Sequence, residues 1–235
     1  MMKFIPEVLF FDDSLVYNLP DSEVTEYLQV IERRYKCPVH RVKLEEVAPE
    51  FMSKSKGDQK KLAGLLYIEI HKWIGLIAKR LGISKVVTGE SASRIASTVL
   101  AGICKGAGVS VNVFSGETLE NDGIKLAKPM KDLLDKEVCI YQHLNKLPLL
   151  YRPFLGDSGY EKQSIDGLVE NFLNNLQSKF PSTTHTLLRT ASKLVPVKME
   201  EKCELCNGPK DSPLCDLEQF LIFDPHFCYA CQHLI

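Results

Sequence analysis

Through the first half of this chain, short apolar runs alternate with longer stretches in which apolar residues return every third or fourth position. The run Val8 to Phe11 in PEVLFFDDS, closed by a polar turn, suits a strand covered on both faces. Asp21 or Ser22 can then cap a helix carrying Val24, Tyr27, Leu28, Ile31 and Tyr35 at helical spacing. The segment CPVHRVKL predicts a second strand, and Lys60 to Leu81, with Leu62, Leu65, Leu66, Trp73 and Ile77, predicts a helix stopped at Gly82. KVVTG predicts a third strand, SASRIASTVLAGICKG a third helix and VSVNV a fourth strand.

Such alternation implies crossover connections and a parallel sheet flanked by helices, an α/β class in which ligands bind at the carboxyl ends of strands. Thr88 and Gly89 leave a strand at such a point, and Ser91 or Ser93 can cap the next helix, whose first amides would face an anion. In IKLAKPMKDLLDKEVCIYQHL, Pro129 stops a strand and a helix is expected to open at Lys131 and Asp132. Further on, SIDGLVENFLNNLQSKF and PSTTHTLLRTASKLVP read as two helices with no strand between them. These changes divide the chain into an α/β domain over 1–145, a helical extension over 146–198 and a short polar, cysteine-rich module over 199–235.

With 235 residues, 45% of them apolar, the chain can bury an ordinary core, and its composition is that of a soluble protein. No apolar run approaches the roughly 18 residues a bilayer-spanning helix needs, and the amino terminus has no signal-type pattern, so a cytoplasmic protein without a membrane is expected. A net charge of −1 gives no overall attraction to nucleic acid, and any RNA contact has to come from a local basic surface. Two candidates exist: Lys125, Lys128, Lys131 and Lys136 along one strand-helix turn, and Arg189 with Lys193 behind Ser182, Thr183 and Thr184. Such groups suit phosphate contacts, although lysines on a helix commonly form only a solvated face, and Asp132 and Asp135 partly neutralise the first set.

Eight cysteines change the picture at the carboxyl end. Five of them lie at or beyond residue 203, where Cys203-x-x-Cys206 and Cys228-x-x-Cys231 have the paired spacing of structural zinc sites. Four thiolates would close a tetrahedral shell and leave no open position for chemistry. Cys215 and His226 are alternative ligands, and free thiols or a redox CxxC are the competing readings. Cys104 and Cys139 sit in apolar helical patterns and read as core, and His71, His143 and His185 have no spaced partner.

The order of GESASRIA, KPMKDLLDKEVCIYQHL, SIDGLVENFL, FPSTTHTLLRTASKL and the terminal CYAC resembles the cytoplasmic tRNA 2-thiolation protein 2 family from about Val8 onward. The resemblance implies a fold of the adenine nucleotide alpha-hydrolase type. It also implies the non-catalytic or regulatory half of a heterodimer. The partner would be a catalytic paralogue that thiolates the wobble uridine of lysine, glutamate and glutamine tRNAs, with sulfur from a ubiquitin-related modifier. Active relatives carry an SGGxDS-like pyrophosphate loop that is not found here, so this looks like a shortened member in which PEVLFFDDS matches the second strand of the fold. The amino-terminal cysteine pair of many relatives is also not found, and Lys128 stands where an arginine is usual. Where active relatives have a GHxxDD-like loop, this chain has GESASR, so Gly89, Glu90 and Arg94 read as a degenerate remnant, ATP is not expected as a cofactor, and no catalytic residue is assigned. Arg94 is either a surface or capping residue or an RNA phosphate contact. The tRNA-binding candidates are Lys128, Lys131 and Arg189. The alternatives are a self-sufficient ATP-dependent tRNA sulfurtransferase and a stand-alone zinc-containing RNA-binding protein.

Overall fold

The computed structural model describes residues 5–14, 19–43, 46, 73–108, 111, 115–116, 118–121, 123–150, 165–194, 203 and 226. The chain forms two compact units, each made of two separate stretches: 1–67 with 141–160, and 68–140 with 161–235.

In the first unit, β1 (Val8–Asp12) and β2 (Val39–Lys43) pair in parallel, with Val8 opposite Val39 and Asp12 opposite Lys43. Helix α1 (Asp21–Tyr35) connects them, as its apolar spacing predicts, and turns Val24 fully inward. Asp21 and Glu23 in its first turn and Arg33 and Arg34 in its last complement the helix dipole. Lys36 ends it in the left-handed conformation, φ 52°, with its N–H bonded to Glu32 O at 2.9 Å.

In the second unit a helical run over 73–80 buries Trp73, Ile77 and Ala78. Gly82, at φ 68°, closes it with paired bonds from Gly82 N to Lys79 O and from Ile83 N to Ala78 O, so the stop expected at this glycine is formed. β3 (Lys85–Val87) leads to α2 (Ala92–Cys104), whose residues Ile95, Ala96, Val99, Ala101 and Gly102 are buried. β4 (Thr118–Asn121) and β5 (Ile124–Ala127) form a tight antiparallel hairpin turning through Gly123 at φ 79°, and β5 also pairs in parallel with β3. Helix α3 (Asp135–Leu144) begins in this unit and ends in the stretch 141–160 of the first, and α4 (Ile165–Lys179) and α5 (Thr183–Ala191) come after 151–164.

The core of this unit is helical. Ile95 and Val99 of α2 pack with Val111 and Ala191, while Ala96 and Ala101 meet Val169 and Leu173 of α4, with Leu188 of α5 touching both groups. Each fully buried valine, leucine or isoleucine side chain contributes about 1.5–3 kcal/mol relative to exposure. Lys105, just past α2, holds Asp166 of α4 through both carboxylate oxygens at 2.7 and 2.5 Å.

The α/β class with parallel pairing is thus present, with three differences from expectation. Of VSVNV, read as a fourth strand, only Val111 lies among the described residues; it is helical and its side chain belongs to the helical core. A strand that the sequence did not suggest lies at Thr118–Asn121 and pairs antiparallel. Helix α3 opens at Asp135 rather than at Lys131, because residues 129–133 form turns whose backbone bonds run from Lys131 N to Lys128 O and from Leu133 N to Met130 O.

Candidate functional site

The corner after β3 is built from two segments, 88–94 and 127–135. Thr88 N bonds to Ala127 O at 3.0 Å, prolonging the β3–β5 ladder past the end of the strand. The Thr88 hydroxyl donates to Glu90 Oε2 at 3.1 Å, and Lys128 Nζ reaches the same oxygen at 3.2 Å. Both charged side chains are withdrawn from water, Lys128 at 3% exposure and Glu90 at 17%. Gly89 sits over Met130, whose sulfur lies 3.8 Å from where a side chain would begin.

The start of α2 is closed by the protein itself. Ser91 accepts from Arg94 N at 3.2 Å and donates its hydroxyl proton to Asp135 Oδ1, while Ala92 N bonds to Leu133 O at 2.7 Å. Asp135 N returns a bond to Ser93 Oγ at 3.2 Å. Two of the first-turn amides expected to face an anion are therefore engaged internally, and the carboxylate of Asp135 sits where the helix dipole favours negative charge. The start of α3 is likewise satisfied, by Glu137 Oε2 accepting from Leu134 N at 2.7 Å. Ser91 caps α2 as the sequence allows, whereas its link to Asp135, 44 residues on, had no signal in the spacing.

The remaining predicted residues disperse. Arg94 is exposed on α2, Lys131 is half-buried in the 129–133 turns, and Arg189 is exposed in the last turn of α5. Lys128 is buried against Glu90, so its ammonium meets the corner rather than solvent. Thr183 and Thr184, read as a hydroxyl run open to phosphate, are used locally. Thr183 donates to Phe180 O, and buried Thr184 bonds Gln177 Oε1 through both its N–H and its hydroxyl, at 3.0 and 2.9 Å. Cys104 and Cys139, read as core, are exposed, because each falls on the outer side of its helix; Cys37 is buried. Cys203 is buried, while Cys206, Cys228, Cys231 and Cys215 lie outside the described residues, and His226 is exposed. Among the described residues no group of three or more potential ligands is assembled, and that set includes only one of the four predicted cysteines.

A second polar site lies in the first unit. Arg41 of β2 bonds Asp12 Oδ2 through Nε at 2.7 Å, Asp21 Oδ1 through Nη2 at 2.6 Å and the Thr25 hydroxyl through Nη1 at 3.1 Å. Burial pushes the Asp12 carboxyl up, but bonds from Ser14 and Arg41 outweigh it and hold the group below its ordinary value. Burial alone would lower the Arg41 guanidinium; its bonds to Asp12 and Asp21 raise it instead. This set joins both strands to α1, and a carboxylate fully committed to a guanidinium is a structural clamp rather than a base.

No described helix is long and apolar enough to cross a membrane. The family model for cytoplasmic tRNA 2-thiolation protein 2 matches residues 164–224. Curated relatives of that name are 37% identical over 134 residues in Mus musculus, 35% over 138 in Homo sapiens and 34% over 141 in Danio rerio. These alignments cover 57%, 58% and 55% of this chain but 26%, 25% and 28% of the relatives, so the match spans about a quarter of their length. Among solved structures, the U34-tRNA thiolase NcsA from Methanococcus maripaludis, determined with its [4Fe-4S] cluster, superposes with a TM-score of 0.58 over 92% of this chain and 71% of its own, at 12% identity. That likeness is one of fold. In residue order and in the family match over 164–224, this chain is similar to the cytoplasmic tRNA 2-thiolation protein 2 family.

Proposed function

We propose that this chain acts in the cytoplasm as a non-catalytic or regulatory part of an apparatus that 2-thiolates the wobble uridine of lysine, glutamate and glutamine tRNAs. A catalytic paralogue would be its partner, and a ubiquitin-related modifier would supply sulfur to that partner. The observation that supports a non-catalytic role is the corner after β3. Glu90 is paired with a buried lysine, and the first amides of α2 are bonded to Ser91 and Leu133, so the groups that could grip a nucleotide phosphate are occupied by the protein. Its relatives' names and the fold it shares with a tRNA thiolase support the pathway.

We further propose a division into an α/β domain, a helical extension and a carboxyl-terminal zinc module. Buried Cys203 suits a thiolate withdrawn from water, and Cys206, Cys228 and Cys231 would complete the shell, giving a short polar segment the cross-link it needs to fold. Exposed Arg189, with Lys131, remains a candidate contact for tRNA phosphate.

Cells lacking the chain should lose wobble-uridine 2-thiolation, read by mass spectrometry of tRNA nucleosides, and regain it with wild-type protein or with Glu90→Gln. Unchanged 2-thiouridine without the chain refutes the function. Restoration by wild type but not by Glu90→Gln, at equal protein level, refutes the non-catalytic role.

A further inference from the structure

The end of α1 carries Arg33, Arg34, Tyr35 and Lys36 in succession, all exposed, with Glu32 the single acid among residues 32–36. Arg34 bonds through Nη1 to the backbone carbonyl of Lys146 at 3.4 Å, which brings a fourth exposed cation, from the end of α3, to the same place. The guanidinium of Arg34 also stands over the Tyr35 ring, 5.9 Å from its centroid, while that ring remains 51% exposed. Three of the other described cations are matched closely by carboxylates: Arg41 by Asp12 and Asp21, Lys105 by Asp166, Lys128 by Glu90. None of Arg33, Arg34, Lys36 and Lys146 forms an ion pair with a described carboxylate.

The backbone adds an independent observation. Among the described residues, Lys36 at φ 52° and Lys146 at φ 48° are the two non-glycine residues with positive φ. Each closes a helix in the left-handed conformation, Lys36 bonding back to Glu32 O and Lys146 to His143 O. Glycine takes this position without a side-chain clash, whereas lysine is strained there. Two strained lysines, one two residues beyond Arg34 and the other offering its carbonyl to Arg34, put cationic side chains where glycine would cap more easily.

We propose that Arg33, Arg34, Lys36 and Lys146 form a phosphate-contacting surface for RNA, with the Tyr35 ring available to an unpaired base. Four cations without carboxylates attract any polyanion, and a half-exposed ring among them selects a polyanion that carries bases over a lipid headgroup or an acidic protein. The identification of that RNA as tRNA rests on the thiolation reading.

The test pairs binding with stability in the full chain. Lys36→Gly with Lys146→Gly relieves both strained caps, so the melting temperature should hold or rise, while affinity for unfractionated tRNA should fall on the order of tenfold. The slope of log K against log salt should become shallower by about 0.7–0.9 for each phosphate that is no longer neutralised. Arg33→Gln with Arg34→Gln should weaken binding similarly, and Lys179→Glu, which changes net charge as much as the lysine pair does, should leave it unaltered. Equal losses in Lys179→Glu and the cluster variants overturn the proposal, because bulk charge then explains binding. Wild-type binding that the cluster variants retain overturns this surface and leaves the tRNA reading standing; no wild-type binding to tRNA overturns both. Cluster-dependent binding to vesicles containing phosphatidylserine, with none to tRNA, assigns the cations to a membrane surface and also overturns it.

Discussion

Removing the carboxylate of Glu90 should expose how the corner after β3 is held. Lys128 is 3% exposed and its Nζ lies 3.2 Å from Glu90 Oε2, a separation at which unit charges attract by about 5 kcal/mol at an effective dielectric of about 20. Glu90 is 17% exposed, so water entering on its side should recover part of that loss for the lysine. Glu90→Ala is therefore expected to cost about 3 kcal/mol, at the lower end of the range for breaking a buried pair from one side. At about 2–4 °C per kcal/mol for a protein of this size, the melting temperature should drop by about 6–12 °C. Glu90→Gln keeps an acceptor for the Thr88 hydroxyl and should cost less, and Lys128→Met with Glu90→Gln should recover most of the loss, because no buried charge is then stranded. Circular-dichroism melts of wild type, Glu90→Gln, Lys128→Met and the double variant make a double-mutant cycle. A melting temperature for Glu90→Ala within about 2 °C of wild type, or strictly additive effects of the two sites, would refute the view that this pair is a structural lock.

Three further outcomes follow from the other sites. Asp12→Asn should cost about 2–3 kcal/mol at neutral pH. The Asp12 carboxyl titrates below its ordinary value of 3.8 when folded, so its contribution is complete above that pH and disappears as pH falls through the lowered value; the variant should lose the corresponding part of the acid limb in denaturant melts. Gln177→Ala removes the shared acceptor of the Thr184 N–H and hydroxyl and should cost about 1–2 kcal/mol, with Gln177→Glu restoring most of it in the same melts. Elemental analysis should find one zinc per chain, lost in Cys203→Ser with Cys228→Ser; full occupancy in that variant would defeat the ligand assignment.

The elements legible in the sequence are those whose period is enforced by burial. α1 and α2 announce themselves because Val24, Ile95 and Val99 must all turn inward at helical spacing, and Gly82 stops its helix because it supplies the positive φ that the paired closing bonds require. Val111, expected in a strand, is helical instead, because a short apolar alternation does not distinguish a strand from a helical residue buried in a core. The strand Thr118–Asn121 is polar and weakly patterned, but its turn was readable: Asp122-Gly123 between two short runs is a two-residue hairpin signal. The corner was only half legible. Glu90 stood out by type, yet its partner Lys128 read as a surface cation, since sequence carries no account of which lysine is buried 38 residues away. The Arg34–Lys146 meeting, across 112 residues, left no local trace.

The way the chain is threaded has a consequence for its synthesis. The first unit takes residues 1–67 and then 141–160, and the second takes 68–140 and then 161–235. At the ribosome's pace of about 5–20 residues per second, Tyr160 is made about 5–19 s after Tyr67. During that interval β1, α1 and β2 can pair, but the 141–160 stretch that completes their unit, including the carbonyl that receives Arg34, does not yet exist. The second unit, begun before the first is finished, must keep α2 waiting for α4 and α5 until Ala191 is added. No single stop codon can therefore separate the two units, and a fragment ending near residue 140 would leave both of them incomplete in the nascent chain.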